Sequence, residues 1–207
     1  MMGSYENQYR KYCETITAMD RDILRLLDWL DRNGLRDNTV VIFMSDNGTM
    51  WGEHRRHGIK YPYEESIRIP LIVRYPRAGV RPGERRTQMV LNMDIAPTIL
   101  DLAGIAVPGG MEGRSMLPFL MNGSTPGRKA WLLEYWKYFP ENFPTYAGVR
   151  TANHKYIEYE KTLKPELFDL KKDPGEQRNL YGTKEGDALL PGLKSMLTQL
   201  KSGKLFE

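Results

Sequence analysis

Cysteine is nearly missing from these 207 residues: Cys13 is the single one. An internal disulfide is therefore excluded, and cysteine usage does not reveal the redox compartment. No apolar run approaches the ~18 residues of a membrane-spanning helix, so no span is expected. The opening stretch MMGSYENQYRKYCE is polar and contains no apolar signal region. An excess of one charge is lacking too. Thirty basic against 26 acidic residues give +4, and no Lys/Arg block is long enough to form a basic tail. A nucleic-acid partner is not expected, while small anions remain candidate substrates. Internal repeats and low-complexity tracts are also absent.

What is present has the texture of a globular protein, with 41% hydrophobic and 27% charged residues. The length allows one or two domains with a true core. Residues 5–33 predict one long helix, because Tyr9, Tyr12, Ile16, Met19, Ile23, Leu26, Leu27 and Leu30 recur at helical spacing and Asn33-Gly34 supplies a stop. TVVIFMSD (39–46) and IPLIVRYP (69–76) predict short strands buried on both faces. Residues 77–87 form a turn-rich loop, and NMDIAPTILDLAGI (92–105) predicts a helix. After a Gly/Pro-rich stretch, AWLLEYW, YAGVRTA and HKYIEYE predict strands, the last two turning around Asn153. ELFDL predicts a fourth strand, and the leucine pattern from Leu189 to Leu200 an amphipathic helix. Cys13, on the first helix, is expected to be buried or half-buried.

One stretch is dense in groups that carry chemistry: SDNGTMWGEHRRHGIKYPYEESIRIP, residues 45–70. Asp46-Asn47-Gly48 ends a strand, where α/β sheets bind ligands. A carboxylate beside an amide offers two hard oxygens to Ca²⁺ or Mg²⁺; the plainer reading is an Asx turn. His54, Arg55, Arg56, His57 and Lys60 follow, and a lysine suits a tetrahedral anion. Glu64, Glu65 and Arg68 read more simply as an ion-pair cluster that fixes the loop before the next strand.

In order along the chain, YCETITAMDRDILRLLDWLDRNGLRDNT, VVIFMSDNG, GEHRRHGIKYPYEESIRIPLIVRYP, NMDIAPTILDLAGI, GRSMLPFL, and VRTANHKYIEY with ELFDLKKDPGEQRNL resemble the C-terminal half of a type I, formylglycine-dependent sulfatase of the alkaline phosphatase superfamily. The resemblance spans nearly the whole chain. It implies an α/β fold: residues 1–125 as the C-terminal portion of the catalytic sheet domain, and 126–207 as a small α+β subdomain with an antiparallel sheet and terminal helix. It implies sulfuric ester hydrolysis, of sulfated carbohydrates or smaller sulfate esters, in the parent enzyme. It further implies that Asp46 and Asn47 hold a divalent cation, Ca²⁺ with Mg²⁺ as the alternative, shared with ligands from an N-terminal half. A lysine of the HGIK segment would contact the sulfate. Many relatives place it at the position of Ile59; here it stands at Lys60. His54 becomes a candidate for the pocket rim. Family habit suggests a periplasmic, secreted or lysosomal protein.

The resemblance also shows what these residues lack. The formylglycine precursor lies in a C/S-x-P-x-R motif, and Cys13 is followed by ETIT. Ser124–Arg128 (STPGR) matches the pattern but sits in a Gly/Pro loop 78 residues after Asp46. It is discounted as the nucleophile, which must begin a helix beside the metal. The chain alone is expected to be inactive. Two alternatives stay open: a phosphodiesterase or phosphonate hydrolase of the same superfamily, and a non-catalytic remnant that binds sulfated glycans through Arg55, Arg56, Lys60 and the 77–87 loop.

Overall fold

The computed structural model describes residues 2–79, 82–137, 143–160 and 163–203. In chain order its first elements are α1 (Met2–Arg32), β1 (Val41–Met44), β2 (Met50–Trp51), β3 (His57–Gly58), α2 (Glu64–Ile67) and β4 (Leu71–Arg74). Then come α3 (Ile95–Leu102), α4 (Leu117–Met121), β5 (Ala130–Tyr135), β6 (Tyr146–Thr151), β7 (His154–Tyr159), β8 (Glu166–Asp169) and α5 (Lys184–Lys201). Two compact units result: Met1–Ser45 with Pro70–Glu84, and Asp46–Ile69 with Arg85–Glu207. The expected boundary at 125/126 falls inside the second unit, shortly before β5.

In the first unit, α1 stops where Asn33-Gly34 predicts. Gly34 takes φ +66°, which glycine adopts without a Cβ clash. Leu35 N–H donates to the Leu30 carbonyl (2.9 Å) and Gly34 N–H to that of Asp31 (3.2 Å), a Schellman closure of the last turn. The apolar stripe of α1 is covered only near its end. Leu30 is buried, Ile23 and Leu27 are half-buried, and Tyr9, Tyr12, Ile16 and Met19 are exposed. Cys13 is exposed as well, which corrects the buried or half-buried thiol expected from sequence. β1 pairs antiparallel with β4, from Val41 opposite Arg74 to Met44 opposite Leu71. Their apolar runs suit burial on both faces, but without further sheet strands beside them exposed faces are expected, and they are half-buried, with Ile72 63% exposed. A two-stranded ribbon has two faces and two edges to cover, more than one helix end can reach. The Asp31 carboxylate joins the helix end to the ribbon, accepting from Arg36 (2.9 Å) and Arg74 (3.0 Å).

The second unit is organised by an antiparallel sheet of order β5-β6-β7-β8. Side chains alternate between its faces. Ala130, Val149, Tyr156 and Leu167 meet Leu193, Leu197 and Leu200 of α5 on one side. Those three leucines are 5%, 2% and 6% exposed; at about 1.5–3 kcal/mol per buried side chain they fix the helix on the sheet. Thr183 caps α5 by accepting the Gly186 N–H, and Glu185 and Asp187 lie in its positive first turn. On the opposite face Leu133, Tyr146, Ile157 and Phe168 pack against Met50 and Tyr63. The sheet therefore has a helix on one side and the 46–66 loop on the other. No helix among the described residues is long and apolar enough to cross a membrane.

Candidate functional site

The loop folds back on itself through β2 and β3, with Met50 opposite Gly58 and Trp51 opposite His57. Between them the chain makes a tight turn. Arg55 N–H donates to the Gly52 carbonyl and Gly52 N–H to that of Arg56, both at 3.0 Å. Trp51 N–H reaches the Glu53 carboxylate at 2.6 Å. Positive φ at non-glycine residues is confined to four of the described positions. Three are on this loop: His54 (51°), Arg55 (56°) and Lys60 (92°). The fourth, Glu176 (52°), accepts the Glu64 N–H at 2.7 Å. Each such residue costs about 1–3 kcal/mol and persists only where its surroundings over-determine it, as at functional sites.

All four residues singled out from sequence lie on this loop. Asp46 is exposed, and its Oδ1 accepts the Asn47 N–H at 2.8 Å. Asn47 is half-buried and donates through Nδ2 to the Gly48 carbonyl at 2.8 Å. Gly48 in turn donates its N–H to the Ser66 carbonyl at 2.9 Å. A Cβ at Gly48 would stand 2.1 Å from the Glu65 carbonyl oxygen, so only glycine allows this approach. His54 stacks on Tyr63, and its Nε2 lies 3.8 Å from Glu65 Oε2. Both of those atoms are sealed from solvent without a hydrogen bond. Lys60 is half-buried, and its carbonyl accepts the Tyr146 hydroxyl at 3.2 Å. Asp46-Asn47 and His54 are thus tied to the Tyr63–Ser66 turn, and Lys60 to β6. Tyr63 is itself fixed by donating to Glu166 (3.1 Å); burial first, then that carboxylate, pushes its hydroxyl above the ordinary tyrosine range.

Asp46 and Asn47 provide a carboxylate and an amide, hard donors of the kind Ca²⁺ and Mg²⁺ accept. They would fill two of the roughly six to eight positions around Ca²⁺. Among the described residues no three His, Cys, Asp or Glu groups stand together to hold a metal. The donor set fits in kind and is incomplete in number.

An ion-pair cluster forms at Glu64, with the distant Arg150 and Lys155 as partners in place of the neighbouring Glu65 and Arg68 expected from sequence. Arg150 Nη2 lies 3.0 Å and Lys155 Nζ 2.9 Å from its carboxylate. Burial raises the Glu64 carboxyl, but these two cations outweigh it and hold the group below its ordinary value. Sequence reasoning missed the other half of the cluster: Lys155 and Glu176, both fully buried at their side chains and 2.6 Å apart. Burial pushes the Glu176 carboxyl up, against the pull of Lys155. A signal for Lys155 existed, since two-residue alternation puts it on the same face as the apolar Ile157 and Tyr159. Glu176 carried none. The STPGR match dissolves: Ser124 is exposed, whereas Arg128 is buried and pairs both its terminal nitrogens with Asp94 at 2.5 Å.

A family model described as N-sulphoglucosamine sulphohydrolase, C-terminal, matches residues 52–203. A second, described as a protein of unknown function, matches residues 5–95. An N-acetylglucosamine-6-O-sulfatase of Bacteroides thetaiotaomicron is 39% identical over 186 residues, 87% of this chain and 33% of the relative. A solved protein in complex with its substrate D-glucosamine-2-N,6-O-disulfate superposes with a TM-score of 0.85 at 35% identity, over 90% of this chain and 39% of that one. The phosphonate monoester hydrolase of Agrobacterium radiobacter gives 0.81 at 27% identity, over 91% and 40%. The chain spans about a third of the length of the curated relatives it matches.

Proposed function

This chain belongs to the sulfatase family, with its alkaline-phosphatase-like fold, and from that premise we propose that it supplies the C-terminal share of a site that hydrolyses sulfate esters of amino sugars. The observation that carries the reading is the concentration of strained residues on the loop that holds Asp46, Asn47, His54 and Lys60. In this reading Asp46 and Asn47 hold a divalent cation together with ligands from elsewhere in the enzyme, and Ca²⁺ is our choice of ion. When bound, the cation stabilises charge on the sulfuryl oxygens. Lys60 adds a second positive charge to the same oxygens. His54, beside Glu65 and stacked on Tyr63, stands at the pocket rim. Residues 126–207 act as the subdomain against which the loop is built. The substrate class follows the names of two relatives, which act on N- or O-sulfated glucosamine.

The test uses the longest natural reading frame that contains this chain, assayed for sulfate release from glucosamine-6-sulfate. Asp46→Ala is expected to abolish metal-dependent turnover, and Lys60→Ala to raise KM or lower kcat. The 207 residues alone are expected to release no sulfate. Full activity of Asp46→Ala would remove that residue from the metal site. A second reading, phosphonate or phosphate ester hydrolysis, is favoured by the phosphonate hydrolase neighbour. Faster turnover of a phenyl phosphonate ester than of any sulfate ester would replace the first reading with the second.

A further inference from the structure

The loop's fixed conformation has an identifiable source. Lys155 is fully buried, on the sheet face that carries Ile157 and Tyr159, and its ammonium lies close to three oxygens: Glu176 at 2.6 Å, Glu64 at 2.9 Å and the Pro62 carbonyl at 2.8 Å. It donates a hydrogen bond to the Pro62 carbonyl, and the two carboxylates face it as ion pairs. Glu176 accepts the Glu64 N–H from the other side, and Arg150 grips the Glu64 carboxylate. Two cations face two carboxylates, so the cluster is balanced. Its four charged members come from three separate places: β6 and β7 of the sheet, the turn after β8, and the first residue of α2.

An apolar patch would cover this face as well. The surrounding contacts are already apolar and aromatic, and buried ion pairs are weak as sources of stability. What the ion cluster adds is direction. Each bond fixes one backbone or carboxylate atom of the Pro62–Glu64 segment at a defined place on the sheet. The site residues hang from that segment: Tyr63 carries the His54 ring, and Ser66 receives the Gly48 N–H next to Asp46-Asn47.

We infer that Lys155, Glu64 and Glu176 form a positioning device, in which a buried ammonium locks the Pro62–Ser66 turn onto the sheet and so sets where Asp46, Asn47 and His54 are presented. The inference rests on the reading of this loop as the site, but its structural content does not depend on activity. Lys155 and Glu176 touch no candidate site residue and act through the turn.

The test uses the 207-residue chain and two local readouts: exchange of the Gly48 amide and the ring-proton shift that Tyr63 imposes on His54. The variant is Lys155→Met with Glu176→Gln, which removes one charge of each sign. Leu197→Ala, on the opposite face of the sheet, serves as a control that weakens the fold without touching the cluster. Gly48 exchange is expected to accelerate at least tenfold in the double variant beyond any change in the control, and His54 to lose its shift. Equal behaviour of the two variants would overturn the inference. Should the double variant not fold, Glu176→Gln alone decides by the same readouts, since it removes the charge paired with Lys155 and leaves Glu64 and the Pro62 carbonyl in place; an unchanged loop overturns the inference. In the longer enzyme, a loosened loop with unchanged kcat and KM would uphold the positioning device and reject this loop as the site.

Discussion

His54 lies face to face with Tyr63, ring centroids 3.8 Å apart and planes within 5° of parallel. The residue in the stack with the strained backbone is the histidine, and the one rooted in the core is the tyrosine. Tyr63→Phe keeps the stack and loses the hydroxyl's bonds to Glu166 and Tyr159. It is expected to leave the His54 ring protons shifted upfield. Tyr63→Leu removes the stack, worth about 0.5–1.5 kcal/mol beyond its buried area, and should return those protons toward random-coil values. One-dimensional proton spectra of the imidazole region decide the point.

Lys60 holds φ at 92°, a conformation that glycine takes freely. Replacing it by glycine relieves about 1–3 kcal/mol of strain and adds about 0.5–1 kcal/mol of chain entropy cost. Lys60→Gly should therefore relax the loop backbone, while the longer enzyme loses turnover of sulfate esters. Full activity would show that the lysine side chain is idle.

Glu64 gives the fold a dependence on acid. Its folded pKa lies below the unfolded value near 4.5, because Arg150 and Lys155 outweigh burial. A depressed carboxyl contributes stability above its unfolded pKa and loses it as pH falls through the folded value. The groups facing it are Arg150, Lys155 and Glu176. Glu64→Gln should thus unfold at a lower temperature than the parent chain at pH 7. The gap should close as pH drops below 4.5. Melting curves from pH 7 downward test the sign; a gap that widens in acid contradicts it.

Arg128 and Ser124 separate a sequence match from a function. Asp94, buried with Arg128, also accepts the N–H groups of Leu91 (2.8 Å) and Arg114 (2.8 Å). Arg128→Met strands that carboxylate, at a cost of about 3–5 kcal/mol. Ser124→Ala, at an exposed hydroxyl, should be silent in both stability and turnover. Urea midpoints and activity of the longer enzyme check both halves.

Much of the architecture was legible in local sequence. The long helix and its Asn33-Gly34 stop, the hairpin at Asn153 and the terminal amphipathic helix follow from periodicity and from residues with special backbone freedom, and each appears where expected. The site loop was legible too, because Asp46, Asn47, His54 and Lys60 crowd one stretch and Glu64 announces an ion pair. The cover over β1 and β4 cannot be read from their composition alone. Apolar runs report that a strand can be covered on both faces, and only the assembled layers decide whether it is. Cys13 failed for the same reason.

The sequence by itself determined the family, the order of the elements and the loop that bears the candidate groups, since these depend on residue type and near-neighbour spacing. The tertiary structure decided what holds that loop. Lys155, Glu176 and Arg150 stand 86 or more positions from Glu64 along the chain. They meet it because two-residue alternation turns a lysine inward beneath a helix start. A bond between such distant residues leaves no local pattern, and a buried charge tolerates that position only when every partner arrives together.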